Sequence, residues 1–217
     1  MEKTYGIVGG YGAPAGLHLH QEVIERTLAT KGHTDLDFPR FILTNLPYNV
    51  MTETGEIQDR EQFIQANTEA NKAFTLATDI LILCNSFHRY LGLMDDIYGE
   101  KLINLPQRVA SEAVENGYTK PLLVSSKETI QSGLYVHDGY DLQTYYDPKL
   151  IDSGMKTETP RLDLMEPILR RAEECGADSI IMGCTDLNMY AKTIRTLTGL
   201  PVMDSVETAA TIIVEGK

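Results

Sequence analysis

Ala77-Thr78-Asp79-Ile80-Leu81-Ile82-Leu83-Cys84-Asn85-Ser86 and Ala177-Asp178-Ser179-Ile180-Ile181-Met182-Gly183-Cys184-Thr185-Asp186 share one pattern: a helix end, a short apolar run, a cysteine, then small polar residues. An unbroken apolar run of this length marks a strand covered on both faces, as in a parallel sheet. The cysteines stand 100 residues apart. About 20 residues beyond each comes a second match, Leu102-Ile103-Asn104-Leu105-Pro106-Gln107-Arg108-Val109-Ala110 against Pro201-Val202-Met203-Asp204-Ser205-Val206-Glu207-Thr208-Ala209. Two matched segments at nearly one offset predict two copies of one α/β unit, each ending a central strand in a cysteine.

Working outward, Thr4 to Val8 is an expected strand that ends at Gly9-Gly10, and Ala15 to Thr30 a helix with Leu17, Ile24 and Leu28 on one side. Arg40 to Leu46 is a strand stopped by Pro47, and Ile57 to Ala77 a helix with Phe63, Ala66, Ala70, Ala73, Phe74 and Ala77 near the helical period. Lys101 to Leu105, Leu122 to Ser125, Asp178 to Met182 and Pro201 to Met203 are further strands; Pro106 to Asn116 and a stretch from about Arg161 to Cys175 are helices. Such alternation predicts an α/β fold of two pseudo-symmetric three-layer α/β/α halves with mostly parallel sheets. The expected joint lies near Gly117 to Pro121. Residues 1–118 then carry Cys84 and residues 119–217 carry Cys184, with Ala209 to Val214 a closing helix able to pack on either half.

Composition removes several classes of function. The 217 residues are 42% hydrophobic and 23% charged, which is ordinary globular usage and enough chain for a core without disulfides. Lys and Arg number 19 against 31 Asp and Glu, a net charge of −12 that repels phosphate backbones, so no nucleic-acid partner is expected. No apolar stretch reaches membrane-spanning length, and the opening Met1-Glu2-Lys3-Thr4 leads into no signal-peptide core. The sparse, odd set Cys84, Cys175 and Cys184 lacks a Cys-x-x-Cys motif, which argues against a disulfide framework and a zinc ribbon. The expected setting is the reducing cytoplasm.

In open parallel sheets, ligands bind beyond the carboxyl ends of the strands. Cys84 and Cys184 fall there, each before an expected helix start with Asn85/Ser86 and Thr185/Asp186 as cap candidates. Free N–H groups at such a start favour thiolate and can hold a carboxylate. Matched halves facing one another suit two-base proton transfer at a stereocentre, in which one thiolate removes a proton and the other thiol supplies one to the opposite face. The competing reading makes both cysteines buried core residues at strand ends. Cys175, before Gly176, reads as structural.

The sequence resembles the cofactor-independent aspartate/glutamate racemase family along nearly its whole length. Cys84-Asn85-Ser86-Phe87-His88 is similar to that family's Cys-Asn-Thr-Ala-His, and Gly183-Cys184-Thr185-Asp186-Leu187 to its Gly-Cys-Thr-Glu-Leu. Gly6 to Pro14 resembles the glycine-rich opening of the aspartate racemase branch. Ser125 to Tyr135 resembles an Ala-Thr-x-x-Thr-Ile segment that leads to Tyr. The resemblance implies two α/β domains with an interdomain site, no metal, no pyridoxal phosphate or other cofactor, a small amino-acid substrate and a homodimer. It makes Cys84 and Cys184 the acid/base pair, with Asn85, Ser86 and Thr185 on the substrate carboxylate. Ser126 and Thr129 line the cleft, and Gly10 and Tyr11 lie in the loop that approaches the ligand. Asp186 replaces the family's Glu beside the second cysteine, as a proton-handling carboxylate or as a plain helix cap.

One segment departs from the family. Where its aspartate racemases carry Asn-x-x-x-Pro-Asp-Arg-Thr, this chain reads Asn45-Leu46-Pro47-Tyr48-Asn49-Val50-Met51-Thr52, without the acid or the arginine. Tyr48 and Asn49 are polar but neither supplies a bidentate cation, and Lys156 is a substitute cation or a solvated loop lysine. Phe87 replaces a small residue and either narrows the pocket or fills a helix core. His88 either tunes the Cys84 thiol or caps and packs. The expected function is interconversion of L- and D-amino acids, aspartate or glutamate foremost. The alternatives are a hydantoin-racemase or maleate-isomerase reaction on the same scaffold, or a non-catalytic small-molecule-binding homologue.

Overall fold

In the computed structural model, residues 3–46, 52, 55–155 and 160–216 are described. The chain runs β1 (Thr4–Gly9), α1 (Ala13–Thr30), β2 (Arg40–Asn45), α2 (Arg60–Ala73), β3 (Asp79–Ile82), α3 (Leu91–Tyr98), α4 (Leu105–Glu115), β4 (Pro121–Val124), α5 (Lys127–Gln131), β5 (Gln143–Tyr145), α6 (Pro148–Met155), α7 (Leu162–Cys175), β6 (Ser179–Met182), α8 (Asn188–Thr198), β7 (Val202–Asp204) and α9 (Ser205–Glu215). It divides into two compact units, one of residues 1–105 with 206–217 and the other of residues 106–205.

The first unit holds a sheet of order β2-β1-β3, extended beyond β3 by a single parallel bridge from Ile80 to Leu102. The second holds β5-β4-β6-β7. All of these pairings are parallel. The repeat extends to register: Ile80 pairs with Leu102 and Ile180 with Val202.

Side-chain alternation along each central strand builds the layers. In β3 and just beyond it, Ile80 and Ile82 enter one core while Leu81 and Leu83 enter the other. The first of these cores is closed by Phe63 and Ala70 of α2 with Met94 and Tyr98 of α3. The second is closed by Leu19 and Val23 of α1 with Ile212 and Ile213 of α9. In the other unit, Ile180 and Met182 face α7 and α8, through Leu164, Met165, Ile168, Tyr190 and Ile194. Ile181 faces the opposite core with Val109, Ala113 and Tyr135. Each sheet is therefore the middle of three layers.

Three expectations need correcting. The units part at Leu105/Pro106, not at 118/119, and the tail belongs to the first unit. Gly117, with φ of 78°, is the turn that ends α4 inside the second unit rather than an interdomain hinge. The run Lys101 to Leu105 contributes only the Leu102 bridge, because α4 already begins at Leu105. Leu17, Ile24 and Leu28 do share a side of α1, but it is the outer one, with exposures of 69%, 37% and 40%. The inner stripe is Ala15, Leu19 and Val23, continued by Thr27, whose hydroxyl donates to the Val23 carbonyl at 2.7 Å.

Candidate functional site

The two cysteine segments are built alike. Before each cysteine the strand closes with a hydrogen bond to its central neighbour: Leu83 N–H donates to the Val8 carbonyl at 2.9 Å, and Gly183 N–H to the Val124 carbonyl at 2.8 Å. Each cysteine then stays extended, with φ/ψ of −160°/111° at Cys84 and −133°/132° at Cys184, and precedes a 3-10 turn over Asn85–Tyr90 or Thr185–Leu187. The carbonyl of each accepts the N–H of the third residue on, Phe87 at 3.2 Å and Leu187 at 3.0 Å. Residues 81–87 and 181–187 run through the same alternation of burial, with Cys84 and Cys184 half-buried and Asn85 and Thr185 buried. Neither cysteine forms a disulfide, and both stand at the carboxyl ends of their strands.

In the first unit the sheet order brings the loop after β1 beside Cys84. Gly10 sits at φ of 100°, and a Cβ there would lie 2.5 Å from both the backbone N and O of Leu46, so only glycine lets the two loops approach. Tyr11 follows and packs on Phe87 with ring centroids 4.0 Å apart; Phe87 stacks in turn on Phe63 at 4.8 Å. Phe87 is fully buried, which makes it core. Ser86 is half-buried beside it. His88 is also buried, and its ring reaches the Cys84 carbonyl through Nδ1 at 3.1 Å.

In the second unit, β4 delivers Ser125 and Ser126 to the edge that carries Cys184. Ser125 was not singled out by sequence, yet its hydroxyl donates to the Gly183 carbonyl at 2.7 Å and ties the two strand ends together. A Cβ on Gly183 would lie 2.5 Å from Leu123 Cδ1 and 2.9 Å from Ser125 Oγ, which explains the glycine before this cysteine. Ser126 caps α5: its Oγ accepts from Thr129 N–H at 3.2 Å and meets Thr129 Oγ1 at 3.1 Å. Tyr135 is buried with its hydroxyl 3.3 Å from Ser205 Oγ. Cys175 bonds the Ala172 carbonyl at 3.6 Å at the end of α7, a local structural contact. Asn49 and Lys156 lie outside the described residues.

Asp186 stands beside Cys184, whose thiol approaches its Oδ2 at 3.9 Å. Its Oδ1 is buried and has no hydrogen-bond partner among the described residues. Burial pushes the carboxyl up to about 6, the contact with the Cys184 thiol opposing that rise. Because the folded value exceeds the unfolded one, ionisation costs stability: the cost is absent at acid pH, grows as pH rises and is complete above about 6. Asp186→Asn is therefore expected to raise the free energy of unfolding at about pH 8 by up to about 3 kcal/mol, and to leave it unchanged near pH 3. Equal stability of the two proteins across that range would show the carboxylate to be well solvated.

Residues 8–213 match the family described as Asp/Glu/hydantoin racemase. The chain belongs to that family. Solved structures agree with the fold of this racemase-family protein. An aspartate racemase from Picrophilus torridus superposes with a TM-score of 0.76 at 22% identity, covering 99% of this chain and 94% of that one. An aspartate racemase homologue from Pyrococcus horikoshii gives 0.75 at 20%, over 99% and 98%. A glutamate racemase from Francisella tularensis, in complex with D-glutamate, gives 0.71 at 13%, over 99% and 80%. Among the described residues of this family member, no group of three or more His, Cys, Asp or Glu is arranged to hold a metal ion, and no helix is long and apolar enough to cross a membrane.

Proposed function

We propose that this protein racemises a free amino acid, aspartate or glutamate foremost, with Cys84 and Cys184 as the two proton-transfer groups and no cofactor. The observation that carries this reading is the duplication of the cysteine site. Two half-buried thiols sit at equivalent positions of two sheets with one topology, each held extended after its strand and closed by the same 3-10 hydrogen bond. The half-buried thiol and the buried polar residue after it recur in both units although the residues themselves differ, Asn85 against Thr185 and Ser86 against Asp186.

Racemisation needs a base on one face of the α-carbon and an acid on the other, with roles exchanged for the opposite enantiomer. In one direction the Cys84 thiolate takes the α-proton and the Cys184 thiol delivers its own proton to the opposite face; the reverse direction swaps them. Asn85, Ser86 and Thr185, with the N–H groups of the two turns, are proposed to hold the α-carboxylate. Ser126 and Thr129 shape the wall beside Cys184, and Gly10 and Tyr11 the wall beside Cys84. Asp186 is proposed to hold a proton next to the Cys184 thiol, a role its raised value near 6 allows. The protein is further proposed to act as a cytoplasmic homodimer, with Asn49 and Lys156 as side-chain contacts to an acidic substrate.

The test is α-proton exchange in D₂O over a panel of free L- and D-amino acids, followed by NMR and chiral chromatography. Deuterium is expected at Cα together with the appearance of the opposite enantiomer for aspartate or glutamate. Exchange confined to another amino acid would keep the two-base reaction and reassign the substrate. No exchange with any amino acid would reject the racemase reading in favour of another isomerase of the family or a binding role.

A further inference from the structure

His88 is fully enclosed at 2% exposure, and its two ring nitrogens meet two different segments of the first unit. A carbonyl can only accept, so Nδ1, 3.1 Å from the Cys84 carbonyl oxygen, carries the proton of the neutral ring. Nε2 then faces Leu105 N–H at 3.4 Å, and the backbone of Ile103 and Asn85 also meets the ring. The Cys84 carbonyl already accepts Phe87 N–H at 3.2 Å, so the imidazole fills its second lone pair. The ring thus spans from the backbone of Cys84 to the first residue of α4. It touches the cysteine through the carbonyl.

The second unit repeats the far half of this link, the one that reaches away from the cysteine. Asn188 stands four residues after Cys184, as His88 stands four after Cys84, and its Nδ2 donates to Asp204 Oδ2 at 3.0 Å, just before α9. In both units the fourth residue beyond the cysteine reaches the segment that opens the second α-helix after that cysteine, α4 or α9. Recurrence in different chemistry, imidazole in one and amide in the other, points to a shared mechanical task.

We propose that His88 is a positioning residue, a neutral Nδ1–H imidazole clamp that fixes the backbone of Cys84, and through it the thiol, against the start of α4. Burial supports the neutral form, holding the ring well below its ordinary value at about 4, so the clamp stays uncharged wherever a thiolate base is useful. The proposal rests on the reading of Cys84 as a proton-transfer group, because fixing its thiol matters only if the thiol reacts.

Three variants separate positioning from simple packing. Asn at position 88 places an amide N–H where Nδ1 sits and keeps the bond to the Cys84 carbonyl; Gln places its amide nearer Leu105; Ala keeps neither. A misplacement of about 1 Å at a reacting group costs about 100-fold in rate. His88→Ala and His88→Gln are therefore expected to lower kcat by about that factor with little change in KM, and His88→Asn to recover most of the loss. Carbamidomethylation of Cys84, read by mass spectrometry against Cys175 as internal reference, is expected to change in the Ala and Gln variants and to match wild type in Asn. Thermal melting is recorded in parallel. Activity that tracks melting temperature across all variants, or an Asn variant as impaired as Ala or Gln, would overturn the clamp. Should Ala fail to fold, the Asn and Gln pair decides. Should the wild type racemise nothing, the racemase reading falls, and Cys84 alkylation still judges the clamp by itself.

Discussion

Cys84→Ser and Cys184→Ser are each expected to lower racemisation by about 1,000-fold or more, since a serine hydroxyl is a far weaker acid than a thiol and general acid–base groups supply about 100- to 10,000-fold. The two losses should differ in kind. With one thiol gone, the other still abstracts and returns a proton on its own face. In D₂O each single variant should then wash deuterium into one enantiomer without inverting it, and the two variants should choose opposite enantiomers. A double variant should be hardly worse at racemisation than either single one, because the pair acts as a unit. The equivalence of the two sites, from the Leu83 and Gly183 strand-end bonds to the Phe87 and Leu187 turn bonds, is what makes this symmetric outcome the expected one. Racemisation at the wild-type rate in either single variant would end the two-base mechanism, and exchange of both enantiomers by one variant would assign both proton transfers to the remaining thiol.

What the sequence disclosed, and what it hid, follows from how strongly each segment's pattern is forced. The strands that carry the cysteines are covered on both faces, so Ile80 to Leu83 and Ile180 to Met182 had to be apolar without interruption, and that made the repeat visible. Edge positions carry no such demand. β5 is only Gln-Thr-Tyr and reads as loop, and the Leu102 segment shrinks to one bridge although its sequence looks like a strand. The division at Leu105/Pro106 leaves no mark in composition, because both residues belong to packed structure: Leu105 is a core residue of the first unit and the next residue already continues α4. On α1 two apolar stripes compete, and composition alone does not say that the smaller Ala15-Leu19-Val23 side is the one the sheet accepts. The candidate site divides in the same way. Cys84, Cys184 and their polar neighbours were readable as a motif, whereas the links from Ser125 to Gly183 and from His88 to Leu105 join segments distant in sequence and need the fold to be seen.

Phe87 offers the largest expected effect on stability. The family motif has a small residue at this position, so Phe87→Ala looks like a return to the family pattern. In this chain it should be among the most damaging single changes. Phe87 is fully buried, sits 4.0 Å from Tyr11 and 4.8 Å from Phe63 between ring centroids, and belongs to the core that also holds Val8, Ile80 and Ile82. Truncation removes the transfer free energy of a whole ring and leaves a cavity walled by two aromatic side chains that are themselves anchored, Phe63 on α2 and Tyr11 behind Gly10. Buried Phe→Ala changes cost about 3–5 kcal/mol, and poor collapse of the surroundings puts a site at the upper end of such a range. Urea denaturation should therefore show a free energy of unfolding lower by about that amount, while Phe87→Leu, which keeps much of the volume, should lose clearly less. Because Phe87 lies in the 3-10 turn between Asn85 and His88, the folded fraction of the Ala variant should also show altered Cys84 alkylation. A loss below about 1 kcal/mol would mean that Tyr11 and Phe63 close over the gap. The aromatic stack would then be a filling added to a site that folds without it, and the motif's small residue would be freely interchangeable here.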